Sequence, residues 1–267
     1  METGLKKSPA STPGQKCINR AQPPMPFRRV ISIFSRLIMP LVLPVFAWCG
    51  TFTVTPVRIQ ISTSRPNAVM QIVNRDDQPV TVQAHVVAWN TDGQNDVYAD
   101  SNEIMLNPPI AVIPAHQSQL IRLGLRHPTE GTQEQSYRLI LEEVPPPARP
   151  DFRGIQTLLR LSIPIFAVPK TKISPQITWR AVKTDDSQLR LIAVNQGTAH
   201  VQIKSLEVRS GESSDDFLKG TPPAYLLPSQ QRQWMISAQS ARTATQVRIT
   251  AVTDAGTSHE VIEITAR

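Results

Sequence analysis

Apolar and polar positions alternate along most of this chain, and turn signals interrupt the alternation roughly every 8–12 residues. A period of two is the mark of extended backbone, because successive side chains leave a strand on opposite faces. Strands are predicted over Phe52–Ser62, Ala68–Asn74, Val80–Trp89, Asn102–Leu106, Ala111–Ile113, Gln119–Leu125, Tyr137–Val144 and Ile155–Ala167. Asn74 to Asp77, Thr91-Asp92-Gly93, Asn107-Pro108-Pro109 and Pro128 to Gly131 supply turn residues between them. A polar stretch holding Pro169, Lys170, Lys172 and Pro175 follows, and the alternation then resumes. The second set covers Ile177–Val182, Gln188–Val194, Ala199–Val208, Tyr225–Leu227, Gln231–Ile236, Gln246–Thr253 and His259–Thr265. No stretch after residue 49 keeps a helical period over a dozen residues, so the fold is predicted to be all-β, with two sandwiches.

One predicted strand is unusual. In Ile155–Ala167, Ile155, Thr157, Leu159, Leu161 and Ile163 share one face, while Gln156, Leu158, Arg160, Ser162 and Pro164 share the other. Pro145, Pro146, Pro147 and Pro150 stand before it, where no regular element can cross. With apolar residues on both faces, this strand is either buried on both sides or completed by a partner chain.

Residues 1–49 are patterned differently. Arg28, Arg29 and Arg36 precede the apolar run Leu37–Trp48, and the small residues Ala47, Cys49 and Gly50 end it. That is the plan of a secretory signal peptide; a membrane anchor is the alternative, disfavoured by the short run and by Pro40 and Pro44. The leader also changes the meaning of the net charge of +7, because it holds seven of the 28 basic residues and one of the 21 acidic ones. The remainder is close to neutral with its charges scattered singly, which argues against nucleic-acid binding. Both cysteines, Cys17 and Cys49, lie in the leader, so thiolate metal sites and thiol catalysis are excluded from the mature chain.

Catalytic signals are absent from the sequence. His85, His116, His127, His200 and His259 are too far apart to share an element, and Asp76-Asp77 and Asp185-Asp186 suit hairpin turns better than calcium loops. Glu142 and Glu143, being adjacent on a strand, point to opposite faces and cannot pair as acid and base. The sequence points to a non-enzyme with no cofactor and no metal. Trp89, Trp179 and Trp234 are expected to fill sandwich cores. Arg58, in the middle of the first predicted strand, is either a solvated edge residue or a receptor whose planar fork grips a carboxylate.

Four segments in register then resemble the periplasmic pilus-assembly chaperones of the chaperone–usher pathway: TVTPVRIQIS, VNRDDQPVTVQAHVVAW, LNPPIAVIPAHQSQLIRLGL, and YRLILEEVPP followed by LRLSIPIFAVP. The resemblance covers most of residues 52–169 and continues more weakly through Trp179 and Asn195-Gln196-Gly197. It implies two immunoglobulin-like domains set at an angle around a cleft: residues 1–49 as leader, 50–168 and 176–267 as domains, 169–175 as linker. It further implies that the chain lends its last first-domain strand to a pilin subunit lacking one, then delivers that subunit to an outer-membrane usher. On that pattern Ile155, Thr157, Leu159, Leu161 and Ile163 match the lent face, and Arg58 matches the cleft arginine that grips the subunit's C-terminal carboxylate. The family's second basic anchor, a lysine, falls at Pro164; Arg160 is the expected substitute on the same face, with Lys170 and Lys172 as other candidates. The cysteine-free mature chain matches divergent branches of the family. Self-association of the free protein, hiding the edge, is compatible with this scheme. The alternative is an exported structural pilus component or adhesin with β-sandwich domains, disfavoured because the first domain reads as complete and a second follows it.

Overall fold

The computed structural model describes residues 52–129, 131–146, 157–185, 188–211, 216–221, 223–237 and 243–266. The expected leader and Ile155 lie outside those residues. Every regular element described is a strand, eighteen in all.

The first sandwich is built from β1 (Phe52–Thr55), β2 (Ile59–Ser62), β3 (Asn67–Asn74), β4 (Val80–Thr91), β5 (Asp96–Asp100), β6 (Ile104–Asn107), β7 (Ile110–Ile113), β8 (Ser118–Leu125), β9 (Gln135–Val144) and β10 (Arg160–Val168). One sheet runs β1-β3-β8-β6; the other runs β2-β10-β9-β4-β5, with β7 also on β4. Alternation fills the space between them. Val80, Val82, Ala84 and Val86 of β4, Leu139 and Leu141 of β9, and Ile163 and Ile165 of β10 meet Met70, Ile72, Ile121 and Leu123 of the facing sheet, all buried.

The single strand expected over Phe52–Ser62 is two strands in different sheets. β1 pairs antiparallel with β3, and after Pro56, which has no N–H to give a ladder, the chain crosses so that β2 pairs parallel with β10. Val57 is 71% exposed at the crossing, and Arg58 stands in the connection rather than mid-strand. The expected strand Ile155–Ala167 starts later, at Arg160. Its ladder with β9 fades where the Glu143 carboxylate accepts the Leu159 N–H at 3.2 Å, while the Glu143 N–H donates to the Leu159 carbonyl at 2.9 Å.

The second sandwich comprises β11 (Ile177–Asp185), β12 (Gln188–Asn195), β13 (Val201–Ser210), β14 (Asp216–Lys219), β15 (Ala224–Leu226), β16 (Gln231–Ser237), β17 (Gln246–Thr253) and β18 (Thr257–Thr265). Its strands follow the order β14-β13-β17-β18-β11-β12-β16, with β15 on β13. The two layers join where β18 ends parallel to β11, at Ala181↔Ile264 and Val182↔Thr265. Trp179 packs in this core with Leu189, Leu191, Val208 and Ile249, and Trp234 packs against it, as the sequence predicts for both.

Both sandwiches use a fully buried asparagine at the end of a core strand. The Asn74 amide donates to the carbonyls of Gln78, Ile113 and Pro114, and its oxygen accepts the Asp76 N–H. The Asn195 amide donates to Ala199 and Leu226, and its oxygen accepts the N–H groups of Gln176 and Gly197. Each side chain thus satisfies backbone groups that the neighbouring turns leave without a ladder partner.

Candidate functional site

The first part of the site is an edge. β10 pairs with β9 along its length, but with β2 only over Ile165–Val168. The outer side of Arg160–Pro164 therefore has no strand partner among the described residues. Ile163 is sealed into the core, Leu161 and Leu159 are half-buried against it, and Thr157 is exposed. On the opposite face Leu158 is 42% exposed. An extended segment laid along this edge would find unused backbone hydrogen-bonding groups beside half-covered leucines.

The second part is the junction between the sandwiches, beyond the closed half of β10. Trp89, expected in a sandwich core, is 2% exposed but lies outside both cores. It shares the outward face of β4 with Gln83 and His85, and packs with Phe166, Leu227 and Tyr225 instead. His200 stacks on Phe166 with ring centres 3.4 Å apart. Glu134, buried in the turn before β9, accepts the His200 backbone N–H at 3.2 Å, its Oε1 lies 2.5 Å from His200 Nδ1, and its own N–H donates to the Thr198 carbonyl. Gln230 to Asn90 and Gln133 to Ser229 add further polar ties. Histidines that look scattered in sequence thus include one at this seam.

Arg58 reaches into the junction from the β1–β2 connection. Its Nη1 donates to Asp254 Oδ2 at 3.0 Å, and its Nη2 donates to Gln202 Oε1 at 2.6 Å and to the Tyr225 hydroxyl at 3.0 Å. Burial works against its charge, yet the Tyr225 hydroxyl and Asp254 outweigh that and hold the guanidinium above its ordinary pKa.

A second guanidinium stands nearby that sequence reasoning missed. Pro164 lies opposite Arg138 of β9 in the strand register. The Arg138 guanidinium sits 3.6 Å over the Trp89 ring and 5.6 Å from the Tyr225 ring. Its nearest carboxylate is Asp96, at 3.5 Å, which is shared with Arg232 at 2.5 Å. Burial pushes the Arg138 pKa below its usual value, and its Nε–H has no acceptor among the described residues. This is a desolvated cation short of hydrogen-bond acceptors. Cross-strand register could have revealed it, but register is not written in the alternation of a single strand.

The other expected anchors lie elsewhere. Arg160 is four residue pairs up the strand from Pro164, exposed to solvent and bonded to Glu142 at 2.9 Å. Lys170 and Lys172 are exposed in the connection between the sandwiches.

Residues 51–172 match the pili and flagellar-assembly chaperone family, PapD N-terminal domain, and residues 172–262 match the pili assembly chaperone PapD, C-terminal domain. The fold recurs in a chain of the CsuC–CsuE chaperone–tip adhesion subunit pre-assembly complex of Acinetobacter baumannii, at 26% identity and TM-score 0.61, covering 82% of this chain and 100% of that one. It recurs at 16% identity in a Salmonella enterica complex of SafA pilin with the SafB chaperone (TM-score 0.55, 79% and 96% covered). The E. coli chaperone DraB shares it at 17% identity (TM-score 0.54, 80% and 96% covered). No curated protein matches the sequence. The fold and its open edge define a two-sandwich chaperone of pilus assembly. The chain belongs to the PapD-type pili assembly chaperone family.

Proposed function

We propose that this protein works in the periplasm, holding one pilus subunit along the open edge of β10 and delivering it to an outer-membrane usher. The leading 49 residues would direct export and be removed. The observation that carries the reading is the placement of an unpaired strand edge, Arg160–Pro164, next to two guanidinium groups, Arg58 and Arg138. A subunit strand added there gains backbone hydrogen bonds and places alternate apolar side chains against the Leu159 and Leu161 face. Its terminal carboxylate then meets planar cations suited to two-pronged hydrogen bonding. Arg138 supports this role best, because a carboxylate would supply the acceptors it lacks. The free energy comes from strand pairing and apolar burial, so neither ATP nor a cofactor takes part.

Co-expression in the periplasm with a candidate pilus subunit tests the reading. Native mass spectrometry should find a one-to-one complex with the wild type, and little with Leu159→Glu, which puts a charge against the apolar face. Undiminished capture by that variant would reject the assignment of the strand.

A further inference from the structure

The junction contains a carboxylate of its own. We propose that Asp254 is a resident ligand that occupies Arg58 in the free protein and competes, through its charge and its hold on Nη1, with an incoming carboxylate. The inference rests on reading Arg58 as a carboxylate receptor.

A guanidinium offers five N–H donors but only two edges that present a parallel pair, and both edges include a proton on Nη2. Both Nη2 protons of Arg58 are engaged, by Gln202 Oε1 at 2.6 Å and by the Tyr225 hydroxyl at 3.0 Å, while Nη1 donates to Asp254 Oδ2. The two protons left over, on Nε and Nη1, do not lie side by side. An arriving carboxylate cannot hold Arg58 by two bonds until Gln202 or Tyr225 gives up an Nη2 proton, and the end-on pair also needs the Nη1 group that Asp254 holds.

Asp254 is also positioned for that duty. It sits in the turn between β17 and β18, closed by the Thr253 N–H on the Gly256 carbonyl at 2.8 Å. Gly256, at φ 133°, adopts a conformation that side-chain-bearing residues avoid. Oδ1 of Asp254 accepts the Gln202 N–H at 2.8 Å, and the Asp254 N–H donates back to the Gln202 carbonyl, which leaves Oδ2 aimed at Arg58. The pair stays within reach of solvent, with side chains 38% and 22% exposed, so exchange needs no opening of the core.

The consequence is selectivity. Replacing Asp254 by another carboxylate trades one ion pair for a similar one, so a lone carboxylate gains little at Arg58. Tight capture then requires the strand edge and the junction to be engaged together. Arg58 belongs to the first sandwich, whereas Asp254, Gln202 and Tyr225 belong to the second, so the exchange also releases a tie between them.

Fluorescence anisotropy with a labelled nonapeptide of alternating valine and threonine, as free acid and as C-terminal amide, reads the carboxylate contribution as the ratio of the two affinities. Asp254→Asn keeps an acceptor for the Gln202 N–H and should raise the acid preference about tenfold over wild type. Tyr225→Phe frees one Nη2 proton and should raise it less. Adding Arg58→Ala to Asp254→Asn should erase the gain. An acid preference unchanged in Asp254→Asn, or no peptide binding by that variant, overturns the resident-ligand proposal. A raised preference that survives Arg58→Ala refutes the receptor role of Arg58 instead. Circular dichroism melts of each variant separate these outcomes from loss of fold.

Discussion

Arg138→Met should weaken subunit capture while leaving the free protein about as stable as before. Methionine keeps the length and the apolar contact with Trp89. It loses the cation–π contact at 3.6 Å, worth about 1–2 kcal/mol in a desolvated setting. It also loses the 3.5 Å pair with Asp96, worth about 0–1 kcal/mol, and Asp96 keeps Arg232. Against this, it removes a buried guanidinium whose Nε–H has no acceptor, a burden of about 1–3 kcal/mol. The net change should fall within about 1 kcal/mol, a shift of roughly 2–4 °C in a thermal melt for a protein of this size. In the complex the same substitution deprives the subunit carboxylate of a charge-assisted partner, an expected loss of about 2 kcal/mol or more, roughly 30-fold in affinity. Differential scanning fluorimetry and competitive capture of a subunit by wild type and variant measure the two effects. Arg160→Ala, which touches only the exposed Glu142 pair, serves as the control and should change neither. A melt lowered by more than about 8 °C with capture intact would mean that Arg138 is a structural cation, and the reasoning would fail.

Two further outcomes follow from the structure. Asn195→Ala removes four hydrogen bonds to buried backbone groups and should cost about 3–4 kcal/mol, seen as a lowered denaturation midpoint; a cost under 1 kcal/mol would contradict its role as the tie of the second sandwich. Burial raises the Glu260 pKa, so the folded state disfavours its charge. Glu260→Gln should therefore stabilise the protein at neutral pH, with the gain shrinking as pH falls toward the ordinary glutamate range and vanishing below it. A gain that grows on acidification would reverse the sign of this argument.

The sequence carries the fold wherever one strand face is buried and the other wet. β12 alternates cleanly and β4 does so as far as Val87, and their limits are legible to within two residues. β5 is not, because Asp96–Asp100 is an edge strand with no buried side chain, so no alternation is imposed on it. The split of β1 from β2 leaves a trace that is easy to overlook: Phe52 and Ile59 are both buried, yet they sit an odd number of residues apart, which no single flat strand permits. The matching roles of Asn74 and Asn195 are hidden for another reason, since each is defined by carbonyls 31 to 40 residues away. In the candidate site, Arg58 and the Leu159–Ile163 face could be named in advance because strand periodicity and family resemblance mark them. Arg138 could not, since only cross-strand register sets it opposite Pro164. Asp254 escapes notice for a similar reason, as its partner is 196 residues away in the chain.

Hydrogen–deuterium exchange over residues 157–164, measured on the free protein and on its complex with a pilus subunit, addresses the central claim most directly. Amides on the open side of β10 should exchange readily in the free protein and become strongly protected in the complex, along with those flanking Arg58. Protection confined to other strands, with the outward amides of Arg160 and Ser162 exchanging as fast as before, would show that the subunit is held somewhere else.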